Sequence, residues 1–270
     1  MQSITSSGLY DAKGASIYYN IQGDSGEYLL FIHAGIADMR MWEKEAFAMS
    51  EYFRVIRFDL PGYGCSDFTG GSFNYNEIIL GLLEHLGVDK AHIIAASFGG
   101  QLAIDFALAY PERVLSMVVA SPALSGWEGS KYLERFDEQE EELLTQGKID
   151  EVAELNFQMW YVGQRKQTIV SASVKQLILD MQLNAMYKGM PQTPIEELEE
   201  EDNLPRLKEL QMPVLVIVGE YDLPDFRAMS TRIFKDVKNA KKVVISNAAH
   251  LSNLEHPEEF LDHLKKFLIK

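Results

Sequence analysis

Cysteine, basic side chains and long apolar runs are all scarce in this 270-residue chain. Its one cysteine, Cys65, excludes an intramolecular disulfide and is typical of a protein in a reducing compartment, so we expect a cytoplasmic location. Lys and Arg number 25 against 40 Asp and Glu, and the net charge of −15 argues against nucleic acid or an anionic membrane as a partner. The longest apolar runs have the length of a strand, and residues 1–10 lack the basic and apolar regions of a signal peptide.

The remaining composition is that of a globular protein. With 47% hydrophobic and 24% charged residues, the chain has enough apolar side chains to form a substantial core. Its length allows either one large α/β domain or a core with an inserted subdomain. No flavin, nicotinamide or metal signature is present, so we predict a protein that needs no cofactor. No oligomeric state follows from the sequence.

Residues 92–101 combine a strand, a sharp turn and a helix around one serine. An Ile-Ile pair favours a buried strand, and the apolar stripe beyond the turn is typical of a helix that ends before Pro111. At this joint the backbone of Ser97 would be strained and its hydroxyl would stand clear of both elements, which requires small neighbours such as Ala95 and Gly99. The amides that follow begin a helix and favour negative charge. The pattern indicates a nucleophile for acyl transfer, although a simple N-cap serine would also fit these ten residues.

Two further polar side chains follow other predicted strands. Asp222 comes after the strand 214–218, and His250 follows the strand 242–245. Since the carboxyl ends of parallel strands meet at one edge of a sheet, we expect both side chains to lie near the serine. A histidine supplies the base that a serine needs, and a carboxylate fixes the histidine tautomer. Asp225, three residues beyond Asp222, is the alternative acid.

These segments resemble signatures of the α/β-hydrolase family. Ala95-x-Ser97-x-Gly99 resembles its nucleophile elbow, with alanine at the usual first glycine, and the order Ser, Asp, His along the chain is that of its triad. Further matches are D-x-x-G-x-G-x-S at 59–66, G-x-x-D at 219–222 and H-x-x-x-x-E-x-P at 250–257.

The resemblance implies an α/β fold in which a mostly parallel central sheet is flanked by helices. It also implies that Ser97, Asp222 and His250 are the catalytic residues, and that the backbone amides of Gly35 and Phe98 form the oxyanion hole.

Residues 122–205 differ in character from the rest of the chain. They hold 17 acidic and 7 basic residues, and no run among them resembles a buried strand. We therefore predict a helical cap at 122–205, inserted into a core domain formed by residues 1–121 and 206–270. The cap segment is rich in aromatic and methionine side chains, which favours an apolar pocket facing the serine. Four of them are predicted to bind substrate: Trp127, Trp160, Tyr161 and Met186.

The sequence thus predicts a serine hydrolase that cleaves an ester or lactone of a small, fairly apolar substrate through an acyl-enzyme. Two alternatives remain open: a carbon–carbon or amide hydrolase with the same triad, and a ligand-sensing or signalling protein on a hydrolase scaffold with slow turnover. The negative charge favours neutral substrates, unless Arg165 or Lys188 creates a local anion site.

Overall fold

The computed structural model describes residues 4–166, 170–188, 193–198 and 201–269. Its strands are β1 Ile4–Ala12, β2 Ala15–Gln22, β3 Tyr28–Ile32, β4 Arg54–Phe58, β5 Asp67–Phe68, β6 Gly71–Phe73, β7 Ala91–Ala96, β8 Val114–Ala120, β9 Ile195–Glu197, β10 Val214–Gly219 and β11 Ala240–Ile245.

Alternating runs of strands and helices produce one large sheet. Among the described residues it has nine strands in the order β1-β2-β4-β3-β7-β8-β10-β11, with β5 paired to β2. The pairs from β4 to β11 are parallel, whereas β1, β2 and β5 join antiparallel at one edge. The predicted α/β architecture with a mostly parallel sheet is confirmed.

Helices cover both faces of this sheet. The helices of the described residues are α1 Glu43–Met49, α2 Tyr75–His85, α3 Phe98–Ala109, α4 Lys131–Thr145, α5 Ile149–Asn156, α6 Ala172–Lys188, α7 Pro224–Asp236, α8 Ser252–Glu255 and α9 Pro257–Leu268, of which α4, α5 and α6 belong to the segment 122–205. Short 3₁₀ helices occupy Met39–Trp42, Pro111–Arg113 and Leu204–Glu209, and a π-helix spans Phe157–Val162.

The central strands are mostly apolar because both of their faces are buried. In β7, Ile93 belongs to the core under α2, α3 and α7, whereas Ile94 belongs to the core under α1 and α9. β10 is buried along its whole length and alternates between the two cores in the same way. Because β3, β7, β8, β10 and β11 run parallel, the loops after β3, β7, β10 and β11 emerge at one edge of the sheet.

The segment 122–205 leaves the sheet after β8 and returns to it before β10. Its described part holds α4, α5, the π-helix and α6, as expected for a mostly helical segment. It also contains β9, which pairs parallel with β6 of the core in a separate two-stranded sheet. The prediction of an entirely helical segment is therefore wrong in this detail. The sequence did not indicate β9 because this strand has only three residues, two of them exposed acids, and lacks the pattern of a buried strand. The domain boundaries themselves stay a prediction.

No helix in the described ranges is both long enough and apolar enough to cross a membrane.

Candidate active site

Ser97 lies between the end of β7 and the first residue of α3, in a backbone conformation that non-glycine residues rarely adopt. Its φ and ψ are 53° and −121°. Such a residue costs about 1–3 kcal/mol and persists only where its neighbours hold it. Here the Ser97 amide donates to the Ala120 carbonyl at 2.9 Å, and the Ser97 carbonyl accepts from the Ala123 amide at 3.0 Å. The end of β8 and the loop after it therefore hold the turn.

Gly99 allows the turn at Ser97 to lie close to the end of the neighbouring strand β3. A Cβ at this position would lie 2.3 Å from the carbonyl oxygen of His33, so only glycine fits between α3 and the end of β3. The close approach brings the loop after β3 to the start of α3. A Cβ built on Gly35 would be 3.4 Å from the Phe98 Cβ, which shows that the two predicted oxyanion donors are neighbours.

His33 holds the loop that carries Gly35. Its Nε2 accepts a hydrogen bond from the Leu60 amide at 2.9 Å, which leaves the proton on Nδ1 to bond the Ala34 carbonyl at 2.8 Å. Burial lowers the pKa of His33 and favours this neutral form, against the opposing charge of Asp59. The Asp59 carboxylate in turn accepts from the amides of Met39 and Cys65. Both side chains have structural roles in the loops.

Asp222 and His250 meet at the carboxyl ends of β10 and β11. His250 Nδ1 lies 3.0 Å from Asp222 Oδ1, and that same oxygen accepts from the Leu223 amide at 2.7 Å. Both residues are almost completely buried. Gly219 makes the approach of the two loops possible, because a Cβ there would be 2.0 Å from the Ala249 carbonyl oxygen. The pair has the geometry by which a carboxylate orients a histidine.

Asp225, the alternative acid, is engaged elsewhere. It lies in the first turn of α7 and accepts from the Ser130 amide at 2.9 Å, the Ser130 hydroxyl at 2.6 Å and the Trp127 indole at 3.3 Å. Burial alone would raise the pKa of Asp225, but these hydrogen bonds outweigh it and lower the pKa below its ordinary value. Asp225 thus joins the cap segment to α7.

His250 is enclosed by aromatic rings. The centroid of the Trp160 ring lies 4.7 Å from that of His250, and the Phe226 ring lies 4.4 Å away on an edge-to-face approach. In the described residues the buried Nε2 of His250 has no hydrogen-bond partner, and no hydrogen bond joins it to Ser97. Within the described structure, the nitrogen that would take a proton from a nucleophile therefore has no competing hydrogen bond. Catalytic hydrogen bonds of this kind commonly form only in the substrate complex.

A cavity of about 500 Å³ opens between the core and the cap segment beside these residues. It reaches Gly35 of the loop after β3 and Trp160, which contacts His250. Ser97 and His250 do not themselves line it. Tyr75, on its core side, packs edge-to-face on Phe98. Two residues that line the cavity, Tyr75 and Trp160, thus contact Phe98 and His250.

The four predicted cap residues divide into two groups. Trp160 and Met186 line the cavity, whereas Trp127 and Tyr161 do not. Trp127 is turned away because its indole N–H bonds Asp225. Tyr161 is buried and its ring is stacked on Phe157, with centroids 5.2 Å apart. Placing these two in the substrate site is a prediction that the described cavity does not support.

The two cations proposed for an anion site are both occupied. Arg165 Nη1 lies 2.5 Å from Glu255 Oε2 and also donates to the Asn247 carbonyl. Lys188 contacts Asp67 at 3.0 Å and two backbone carbonyls of the loop after β4. Neither residue lines the cavity.

Sequence reasoning missed the polar lining of the cavity. Glu140, Asn156 and Gln182 come from three different helical segments of the cap, and all three line it. The residues predicted to bind substrate were all aromatic or apolar, so none of these three was among them. The signal for Gln182 was its spacing, since it lies one helical turn before Met186 on the same face of α6.

Known proteins resemble the chain over most of its length. A family model described as the alpha/beta hydrolase fold matches residues 27–161. A 2-hydroxy-6-oxononadienedioate/2-hydroxy-6-oxononatrienedioate hydrolase of Paraburkholderia phymatum is 30% identical over 93% of this chain and 90% of its own. The 3-oxoadipate enol-lactonase 1 of Acinetobacter baylyi is 24% identical over 99% and 98% of the two chains.

An esterase and a solved structure extend this set. The pimeloyl-[acyl-carrier protein] methyl ester esterase of Aliivibrio salmonicida is 29% identical over 94% of this chain and 96% of its own. The crystal structure of a hydrolase from Pseudomonas aeruginosa superposes with a TM-score of 0.78 at 25% identity, covering 98% of this chain and 99% of that one.

Proposed function

Since the chain belongs to the α/β-hydrolase fold family and these relatives are hydrolases, we propose that it is a serine hydrolase with a Ser97-His250-Asp222 triad, cleaving an ester or lactone of a small, fairly apolar molecule. One observation carries the proposal. His250 is held by Asp222 at 3.0 Å through one ring nitrogen, while its other ring nitrogen is buried without a partner. A structural histidine would have both nitrogens bonded, as His33 does.

The proposed mechanism uses an acyl-enzyme. The Ser97 hydroxyl attacks the substrate carbonyl and passes its proton to His250 Nε2, while Asp222 stabilises the imidazolium that forms. The amides of Gly35 and Phe98 donate to the oxyanion, and Phe98 N–H is free to do so because it begins a helix. His250 then protonates the leaving alcohol and activates water for deacylation.

The bond cleaved is inferred from the lining of the cavity. The Paraburkholderia relative is named for a dioate without an ester, so its hydrolysis must break a carbon–carbon bond in a molecule with two carboxylates. That relative favours the carbon–carbon alternative. Among the described residues, however, no Lys, Arg or His lines the cavity, which favours a neutral ester or lactone over a dianion.

Replacement of the nucleophile tests the proposal. Ser97→Ala is expected to reduce kcat for a chromogenic short-chain ester by about a million-fold, the loss seen when a triad nucleophile is removed. Ser121→Ala is a matched control, since Ser121 also follows a strand with positive φ, at 45°. A fluorophosphonate should label Ser97 once per chain.

Three results would contradict parts of this proposal. An alanine variant at Ser97 that keeps more than about a hundredth of the activity excludes it as the nucleophile. Equal losses of kcat in Ser97→Ala and Ser121→Ala would mean that activity depends on the conformation of the two turns and not on the Ser97 hydroxyl. A stoichiometric burst of acylation followed by negligible turnover would favour the sensing alternative.

A further inference from the structure

Gln182 is a buried polar side chain without a partner. It lies in α6 and is 3% exposed, and in the described part of the chain neither its amide nitrogen nor its amide oxygen has a hydrogen bond. Buried polar atoms are nearly always paired in folded proteins, because an unpaired one loses its bonds to water without replacement. A side chain with both of its polar atoms in this state is therefore a group that a ligand would satisfy.

The neighbours of Gln182 on α6 show which way it points. Ala185 and Met186, three and four residues later on the same face of the helix, line the cavity together with it. Ile178, one turn before Gln182, and Met181 next to it are buried in the apolar core. The amide of Gln182 is thus presented to the cavity beside the core.

Asn156, the other buried amide at the cavity, is fully used by the protein. Its Nδ2 donates to Glu140 Oε1 at 2.5 Å and to the Val152 carbonyl at 3.3 Å, and its Oδ1 accepts from the Trp160 indole at 2.7 Å. Asn156 therefore positions Trp160 over His250. Gln182, by contrast, positions no other described residue through a hydrogen bond.

The charges at the cavity limit what can bind there. Asp137 and Glu140 line it, and the lining residues of the described ranges include no cation, so a carboxylate would be repelled. An ammonium group would pair with Glu140 but could use only the acceptor of Gln182, leaving its N–H donor unpaired. An uncharged group with one donor and one acceptor satisfies both atoms.

We propose that Gln182 is a substrate-binding residue that recognises a carboxamide or similar uncharged group at the end of the acyl chain remote from the scissile carbonyl. This inference rests on the proposed function, because it assumes that the cavity holds the acyl chain. It assigns substrate choice to a residue of the cap and excludes dicarboxylates as preferred substrates.

Four chromogenic esters of equal chain length test the proposal, ending in carboxamide, isopropyl, carboxylate or ammonium. The carboxamide ester is expected to exceed the isopropyl ester in kcat/KM by about 10- to 100-fold, because the apolar end leaves Gln182 unpaired. Gln182→Leu should abolish or reverse this preference, mainly through KM. It should unfold at an equal or higher temperature than wild type, since it removes two unpaired buried atoms.

Gln176→Leu is the matched control. Gln176 lies on the same helix but is exposed and bonds Asp180 at 2.8 Å, so its replacement should leave the preference unchanged. Ketone analogues of the carboxamide and isopropyl esters, in which CH₂ replaces the ester oxygen, measure binding by calorimetry without turnover. The carboxamide ketone should bind wild type more tightly by a similar factor and lose this advantage in Gln182→Leu.

The outcomes separate the two proposals. Selective binding of the carboxamide ketone without hydrolysis of any ester supports the role of Gln182 and overturns the proposed function. Hydrolysis of all four esters without selectivity, or a carboxamide preference that persists in Gln182→Leu, overturns the role of Gln182 alone. Preference of the wild type for the carboxylate or the ammonium ester overturns it as well.

Discussion

The replacement Asp222→Asn separates the charge of the acid from its shape. The carboxylate Oδ1 accepts both from His250 Nδ1 at 3.0 Å and from the Leu223 amide at 2.7 Å. An asparagine that keeps its oxygen at this position retains both hydrogen bonds but loses the negative charge. In the opposite orientation its NH₂ group meets the Leu223 N–H and imposes the wrong histidine tautomer.

The expected loss follows from the distance between the two charges. A carboxylate and an imidazolium about 3 to 4 Å apart attract each other by about 4 to 5 kcal/mol at an effective dielectric constant of about 20. Since about 1.4 kcal/mol is tenfold in rate, loss of this attraction lowers kcat by about three to four orders of magnitude. The wrong-tautomer route gives a loss of about 10⁴. Both orientations therefore predict a large effect on kcat.

The measurement is kcat and KM for a chromogenic ester, together with the thermal unfolding temperature. Asp225→Asn is the control, since Asp225 bonds Ser130 and Trp127 and has no hydrogen bond to His250 in the described structure. It should keep most of the wild-type kcat and unfold at a lower temperature, because an amide replaces one of the two carboxylate oxygens that accept from Ser130. The reverse ranking of the two kcat values would assign the acid to Asp225. A loss of less than about tenfold in both variants would refute the triad.

Two predictions concern positions outside the triad. Gly99→Ala should lower both kcat and the unfolding temperature, because the new Cβ would be 2.3 Å from the His33 carbonyl oxygen. Gly129→Ala, whose Cβ would have its nearest contact at 3.8 Å, should change neither. Equal effects of the two substitutions would refute the packing argument. Glu45 is 1% exposed, and burial raises its pKa from 4.5 to about 8. The proton bound in the folded state therefore contributes stability that is present below pH 4.5 and lost as pH rises through about 8, amounting to about 4 kcal/mol between pH 5 and 9. Urea unfolding at several pH values measures this pH dependence of the free energy of unfolding. Glu45→Gln should remove it, whereas replacement of the exposed Glu43 by Gln should keep it. An unchanged pH dependence in Glu45→Gln would contradict the burial of a neutral acid.

The parts of the molecule that the sequence predicted well are those with strong local rules. An Ile-Ile strand that meets a helix at Ser97 with small neighbours allows few backbone paths. The glycine-rich loop after β4 and the close approach at Gly219, the last residue of β10, follow from similar steric demands. Because parallel strands align their carboxyl ends, Asp222 and His250 could be placed at one edge before any contact was known.

The cap segment was less predictable because its side-chain directions depend on tertiary packing. Trp127 and Trp160 look equivalent as aromatic residues of one segment, yet one bonds Asp225 and the other covers His250. Tyr161 follows Trp160 directly, but the π-helix turns it into the core. Gln182 was not predicted because a glutamine on a helix normally faces solvent, whereas this one is buried.

The π-helix at Phe157–Val162 determines how a new cap could be joined to this core. The Trp160 carbonyl accepts from the His250 amide at 3.3 Å, and just beyond the helix the Gln164 amide donates to the Tyr221 carbonyl at 3.0 Å. A chimaera that exchanged the whole segment 122–205 for that of a relative would replace one partner in each of these two hydrogen bonds to the loops of His250 and Asp222. Residues 157–165 therefore contact the loops that carry Asp222 and His250, although they lie within the segment 122–205. Grafts intended to change substrate range while retaining turnover should leave them in place and exchange the helices on either side.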